Sequence, residues 1–153
     1  MKVLIVGKRD CQDKSLICSA INECLEENNI KPSTIICGEE KGFDRVVLQY
    51  AKDNGYNAVT FPIEWSNTKD IPKEELKSRF NKWKKVNEYY DPKAAFKRND
   101  KMLKFCDIVI IISLGTNECS DFYFKCKKLN KTFYEYSPSP INSVCEFGYN
   151  FWE

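Results

Sequence analysis

Apolar and polar positions divide the chain into short units with a repeating order. "KVLIVG", residues 2–7, is a continuous apolar run that ends in glycine, the pattern of a strand buried on both faces, and it is expected at the centre of a parallel sheet. Residues 15–27 place Leu16, Ile17, Ala20, Ile21, Cys24 and Leu25 on one helical face, with Asp13 positioned as N-cap. The order then repeats. "STIICG" predicts a second strand, residues 43–54 a second helix with Val46, Val47, Tyr50 and Ala51 inward and Gly55 closing it, and "NAVTFPI" a third strand. "DIVIIIS" carries the strongest strand signal, followed by a polar loop, a helix over about residues 120–129, and "KTFYEY" as a last strand. Strands alternating with helices predict an α/β fold: a Rossmann-like, doubly wound parallel sheet in a single domain.

Two stretches break the rhythm. "DIPKEELKSRFNKWKKVNEYYDP" has Asp70 as a cap, Pro72 in a first turn, early acidic residues, and Leu76, Phe80, Trp83 and Tyr90 at helical spacing. The spacing predicts an inserted amphipathic helix within about residues 66–93, docked on this domain or on a second subunit. "SPSPINSVCEFGYNFWE" has no period, and its aromatics are costly to leave in water. It is read as an irregular C-terminal extension over 137–153, packed on the domain or across an oligomer interface.

Composition narrows the chemistry. At 153 residues, one domain is expected. With no run approaching about 20 apolar residues and no signal-peptide zones at the N-terminus, the expectation is a cytoplasmic protein without membrane contact. Eight cysteines without an export signal read as reduced thiols. The chain contains no histidine, and it has no CxxC pair, so no metal site and no cofactor are expected. Ser-His-Asp and Cys-His mechanisms are excluded. A formal charge of +2 argues against nucleic acid as a partner on composition alone.

In a parallel sheet, ligands bind where loops and helix N-termini gather at the carboxyl ends of the strands. Three loops fall there: "GKRD", with Gly7, Lys8 and Arg9; "GEEKGFD", with Gly38, Glu39, Lys41, Gly42 and Asp44; and "SLGTNECSD", with Gly115, Thr116 and Glu118. Glycine lets backbone N–H groups approach an anion, and the helix that follows adds partial positive charge. A glycine after a strand is also an ordinary turn. "AAFKRNDKML" places Lys97, Arg98 and Lys101 at the start of a further helix, the one that leads to the fourth main strand, and is read either as a solvated basic turn or as a clamp in which Arg98 grips phosphate and Asn99 reads a ribose or base.

These pieces, in this order, resemble the SLOG superfamily, the Rossmann-like group that includes the LOG phosphoribohydrolases and the DprA DNA-processing proteins. The closest likeness is to its YspA/YpsA-related branch. "GKRDCQD" is similar to G-x-R-D-F-x-D, "GEEKGFD" through "FPIEW" to G-G-A-x-G-A-D with a strand ending P-A-x-W, and "KRNDKML" to R-N-x-x-M-L. The resemblance spans about residues 1–136 with one insertion. It implies a pocket for a nucleotide-derived small molecule, commonly in a homodimer, with Gly7, Arg9, Gly38, Gly42, Asp44, Arg98 and Asn99 in or supporting it.

Two departures bear on activity. LOG enzymes carry P-G-G-x-G-T-x-x-E, whereas counting back from the following helix puts that Gly-Thr at Glu118-Cys119, and the visible Gly115-Thr116 falls three residues early. Glu39 and Glu40 replace a glycine and a small residue in a turn shaped for phosphate, and a carboxylate there repels an anion unless a cation relieves it. The resemblance therefore implies first a binding or sensing module for a nucleoside phosphate or ADP-ribose-like ligand. The alternative is a phosphoribohydrolase or N-glycosidase using Glu118, Asp121 or the Glu39-Glu40 pair. A third reading is single-stranded nucleic-acid binding through the Lys- and aromatic-rich insertion, ranked last because that segment scans as a helix.

Overall fold

The structure, a computed structural model, describes residues 1–9, 11–113 and 120–137. Five parallel strands form the main sheet: β1 (Lys2–Gly7), β2 (Thr34–Gly38), β3 (Asn57–Phe61), β6 (Ile108–Ile112) and β7 (Phe133–Tyr136), in the order β3-β2-β1-β6-β7. Among the described residues, four helices cover it: α1 (Lys14–Glu27), α2 (Phe43–Asp53), α3 (Ala94–Phe105) and α4 (Ser120–Lys128). This is the expected Rossmann-like arrangement, with β1 central.

Strand residues alternate between two cores, as the period of two requires. Val3, Ile5, Ile35, Cys37, Ile108, Ile110 and Ile112 face α1 and α2, against Ile17, Ile21, Phe43 and Val47. Leu4, Val6, Ile36, Val109 and Ile111 face α3 and α4, against Met102, Leu103, Phe122 and Cys126. Both faces of the sheet are dry, which is why these strands read as unbroken apolar runs. Asp13 caps α1, its side chain accepting the N–H of Leu16 at 3.1 Å. Beyond α2, Gly55 takes a φ of +75°, the left-handed turn that stops the helix.

Six described cysteines carry free thiols, and Cys24, Cys37, Cys106 and Cys126 are buried. Burial, with help from the Asp44 charge, pushes the Cys37 thiol up to about 12, and burial raises Cys126 to about 11. Both are protonated packing residues at neutral pH.

The insertion is not a helix. One 3-10 turn, Lys73–Glu75, leads into an antiparallel hairpin of β4 (Lys77–Asn81) and β5 (Val86–Tyr90). Asp70, expected as a helix cap, takes a left-handed φ of +62° instead. The reason for the hairpin lies in its loop. Asn81 Oδ1 accepts the N–H groups of Trp83 and Lys84 at 2.9 and 3.0 Å, Lys85 sits at φ +55°, and the Lys85 N–H closes the turn on the Asn81 carbonyl. This side-chain-to-backbone bonding competes with helix formation. Across the strands, Arg79 stands opposite Glu88, a favourable cross-strand pair. The spacing of Leu76, Phe80, Trp83 and Tyr90 matched a helix only by coincidence, because Phe80 and Trp83 are exposed. The C-terminal extension, 137–153, lies outside the described residues apart from Ser137.

Candidate functional site

The chain leaves β3 for the far side of β1 to enter β6, so the order of strands reverses between β1 and β6, where Gly7 and Ile112 are register partners. Crossovers depart to opposite faces there and open a crevice at the carboxyl ends of the strands. A cavity of about 380 Å³ occupies this position, within the range of about 300–1,000 Å³ typical of small-molecule sites. Gly7, Arg9, Gly38, Glu40, Asp44, Arg98, Asn99 and Asp121 supply its polar wall; Trp65, Phe96, Met102 and Phe122 supply much of the apolar one.

Two glycines make the crevice by close packing. A side chain at Gly7 would run into the ring of Phe43, which is itself buried at the start of α2. A Cβ at Gly38 would lie 2.5 Å from Arg98 Nη1 and 2.6 Å from Asp44 Oδ2. The second glycine therefore admits the groups that organise the site.

Arg98 lies one turn into α3 and is almost fully buried. Its Nη2 donates to Glu40 Oε1 at 2.6 Å, its Nε to Asn99 Oδ1 at 2.9 Å, and its Nη1 to the Phe61 carbonyl at 3.3 Å. Arg9, reaching in from the loop after β1, pairs its Nε with Glu40 Oε2 at 3.2 Å. One carboxylate thus joins two guanidinium groups. The loop is fixed below: the Glu40 N–H donates to Asp44 Oδ2 at 3.2 Å, and the Phe43 N–H donates to the Arg9 carbonyl at 3.1 Å. Burial pushes the Asp44 carboxyl up, and the Glu40 charge adds to this, while the N–H groups of Glu40 and Gly38 and the charge of Arg98 pull it back. Across the cavity, Asn99 Nδ2 donates to Asp121 Oδ2 at 3.4 Å, and Lys125 pairs with the same oxygen at 3.4 Å.

The expected residues divide into three groups. Gly7, Arg9, Gly38, Asp44, Arg98 and Asn99 line the cavity together. Lys8, Glu39, Lys41 and Gly42 do not line it: Glu39 accepts the Thr60 hydroxyl at 2.6 Å, and Gly42, at φ +90°, starts α2. Gly115, Thr116 and Glu118 lie outside the described residues. Of the basic trio on α3 only Arg98 enters the crevice, since Lys97 binds Asp91 at 2.6 Å and Lys101 binds Glu64 at 3.3 Å. Ile63, Ala95, Phe96, Met102 and Phe122 were not anticipated as site residues. Ala95, Arg98, Asn99 and Met102 follow a three-to-four-residue spacing along α3, the signal in the sequence by which this wall could have been found.

Trp65 borders a second cavity as well, of about 350 Å³, with Ser66, Arg79, Glu88, Tyr89 and Tyr90 at the base of the hairpin. The Trp65 and Tyr90 rings meet edge to face at 6.3 Å.

A family model described as the YspA, cpYpsA-related SLOG family matches residues 1–67. Over these residues, less than half of the chain, it is similar to the SLOG superfamily, in its YspA/YpsA-related branch. The SLOG match takes in β1, the Gly7 and Gly38 loops, Glu40, Asp44 and Trp65, and stops before the hairpin and α3. The likeness points to nucleotide-related binding or processing. No curated protein and no solved structure matches the chain. No helix among the described residues is long and apolar enough to cross a membrane.

Proposed function

We propose that the crevice binds or senses a nucleotide-derived small molecule, a nucleoside phosphate or an ADP-ribose-like compound. The observation that carries this reading is the cavity at the strand-order reversal, where an apolar aromatic wall faces converging polar groups from β1, β2 and α3. Trp65 and Phe96 offer surfaces for a planar base, and the amide of Asn99 offers hydrogen bonds. The second cavity beyond Trp65 supports an elongated, two-ended ligand. The reading includes a homodimer, which light scattering would detect, and a cytoplasmic location. A panel of nucleosides, nucleotides and ADP-ribose in a thermal-shift assay tests it. A ligand that binds only the native state raises Tm with concentration; no shift from any member near millimolar concentration refutes the reading.

A second reading, hydrolysis of an N-glycosidic bond, is favoured by one observation. Asp44, whose carboxyl is held above the usual carboxylate range, and Asp121 line the same cavity, and carboxyls in unlike environments are the material of acid and base pairs. Chromatography of nucleoside monophosphates and NAD-type compounds after long incubation decides this. Free base that appears with the wild type and disappears with Asp121→Asn supports it, and no free base removes it.

A further inference from the structure

Glu40 occupies the position between two arginines that a phosphate would need. Its Oε1 takes the Arg98 Nη2–H at 2.6 Å and its Oε2 takes Arg9 Nε at 3.2 Å, so the carboxylate bridges both guanidinium groups. The arrangement is fixed from several sides. Arg98 is anchored through its other nitrogens to Asn99 and the Phe61 carbonyl. The Glu40 backbone is held by Asp44, and the absence of a side chain at Gly38 leaves the space that Arg98 and Asp44 fill. Swinging Glu40 away would strand a nearly buried guanidinium, a costly outcome.

Charge points the same way. Among the described residues that line the cavity, the guanidinium groups of Arg9 and Arg98 face the carboxyl groups of Glu40, Asp44 and Asp121. A phosphate added beside Glu40 would meet like charge at short range and find its cations already engaged. Glu40 nevertheless keeps acceptor capacity. A carboxylate accepts about four hydrogen bonds, and each Glu40 oxygen has one arginine partner.

We propose that Glu40 is a built-in counter-anion that sets the ligand class of this crevice: the group seated against Arg9, Glu40 and Arg98 is uncharged and donates hydrogen bonds, as a sugar diol or an exocyclic amino group does, and phosphate is refused there. This rests on the reading of the crevice as a nucleotide-derived ligand site and assigns which end of the ligand faces the arginines. Glu40 acts here as a specificity residue.

Titration calorimetry of wild type, Glu40→Gln and Glu39→Gln with four nucleosides, their 5′-monophosphates and inorganic phosphate tests the proposal. Wild type is expected to bind a nucleoside at least as tightly as its monophosphate and to ignore inorganic phosphate. Glu40→Gln removes the negative charge that both arginines face, so monophosphate affinity should rise by about tenfold or more while nucleoside affinity changes less, the size of gain expected from charge-assisted hydrogen bonds. Glu39→Gln, whose parent side chain is bound to Thr60 instead, should behave as wild type. An unchanged monophosphate-to-nucleoside ratio in Glu40→Gln overturns the proposal, as does a wild type that already prefers the monophosphate by tenfold or more. If no nucleoside or nucleotide binds either protein, the function proposed above fails, while the clamp is still read by inorganic phosphate: binding to Glu40→Gln alone supports it, and binding to neither overturns it. Should the glutamine variant fold poorly, Glu40→Ser and the melting temperature in phosphate against chloride give the same reading, with a larger phosphate-dependent rise expected in the variant and an equal rise counting against the proposal.

Discussion

The crevice at the sheet edge and the β4–β5 hairpin use similar residue types to opposite ends. In the crevice, charged groups from α3 and the loops after β1 and β2 are bound to one another and backed by two dry cores. In the hairpin, charged and aromatic residues alternate with little behind them: Trp83 is 95% exposed, and neither strand contains a buried residue. An arginine or tryptophan therefore matters by what lies behind it. Arg98 is built into the fold, and Trp83 stands on it.

The largest expected effect lies in the crevice. Arg98→Ala removes a guanidinium with three partners and leaves Glu40 without its shortest contact. The cost expected in chemical denaturation is about 3 kcal/mol, the low end for breaking a buried pair, because the Glu40 side chain is still 23% exposed. A loss under about 1 kcal/mol, the level of a surface pair, would place Arg98 with the hairpin instead. Gly7→Ala comes next. The added methyl meets the buried Phe43 ring, and overpacking of this kind costs about 1–3 kcal/mol.

Asp91 sharpens the boundary between the two regions. It follows β5 and leads into α3, its N–H donating to the Trp65 carbonyl while its carboxylate accepts from Lys97 Nζ and the Lys93 N–H. The Lys97 hydrogen bond, then the Lys93 N–H, hold its carboxyl below the usual carboxylate range. A carboxyl with a lowered folded-state pKa stabilises above the unfolded value of 3.8, and that contribution is lost as pH falls through the folded value. Asp91→Asn should thus be less stable than wild type at neutral pH, with the two stability curves converging in acid. Parallel curves would contradict the assignment. Smallest of all, Trp83→Ala should change stability by no more than about 0.5 kcal/mol.

The same contrast governs what could be read from the sequence. The five sheet strands and four helices are legible because each satisfies its pattern locally: "DIVIII" has no competing period, and Asp13 caps the helix next to it. The hairpin is not, because five-residue strands leave little alternation to detect and the Asn81 turn that decides the matter is a side-chain geometry. In the crevice, Gly7, Gly38 and Arg98 announce themselves by residue type and position. The role of Glu40 does not, since its main partner lies 58 residues away and only folding brings the loop after β2 and α3 together. What looked like two misplaced charges in a phosphate turn are two different things: Glu39 bonds Thr60 on β3, and Glu40 neutralises the arginines.

Trp65 and Trp83 allow the central claim to be tested in one experiment, since one lines the crevice and the other stands at the tip of the hairpin. Their indole N–H resonances, assigned by single substitution and followed by NMR through titration with nucleosides, nucleotides and ADP-ribose, report the two regions separately. A saturable shift of the Trp65 signal with Trp83 unmoved is the predicted result. A Trp83 signal that shifts while Trp65 stays still, or no shift in either across the whole panel, would contradict it.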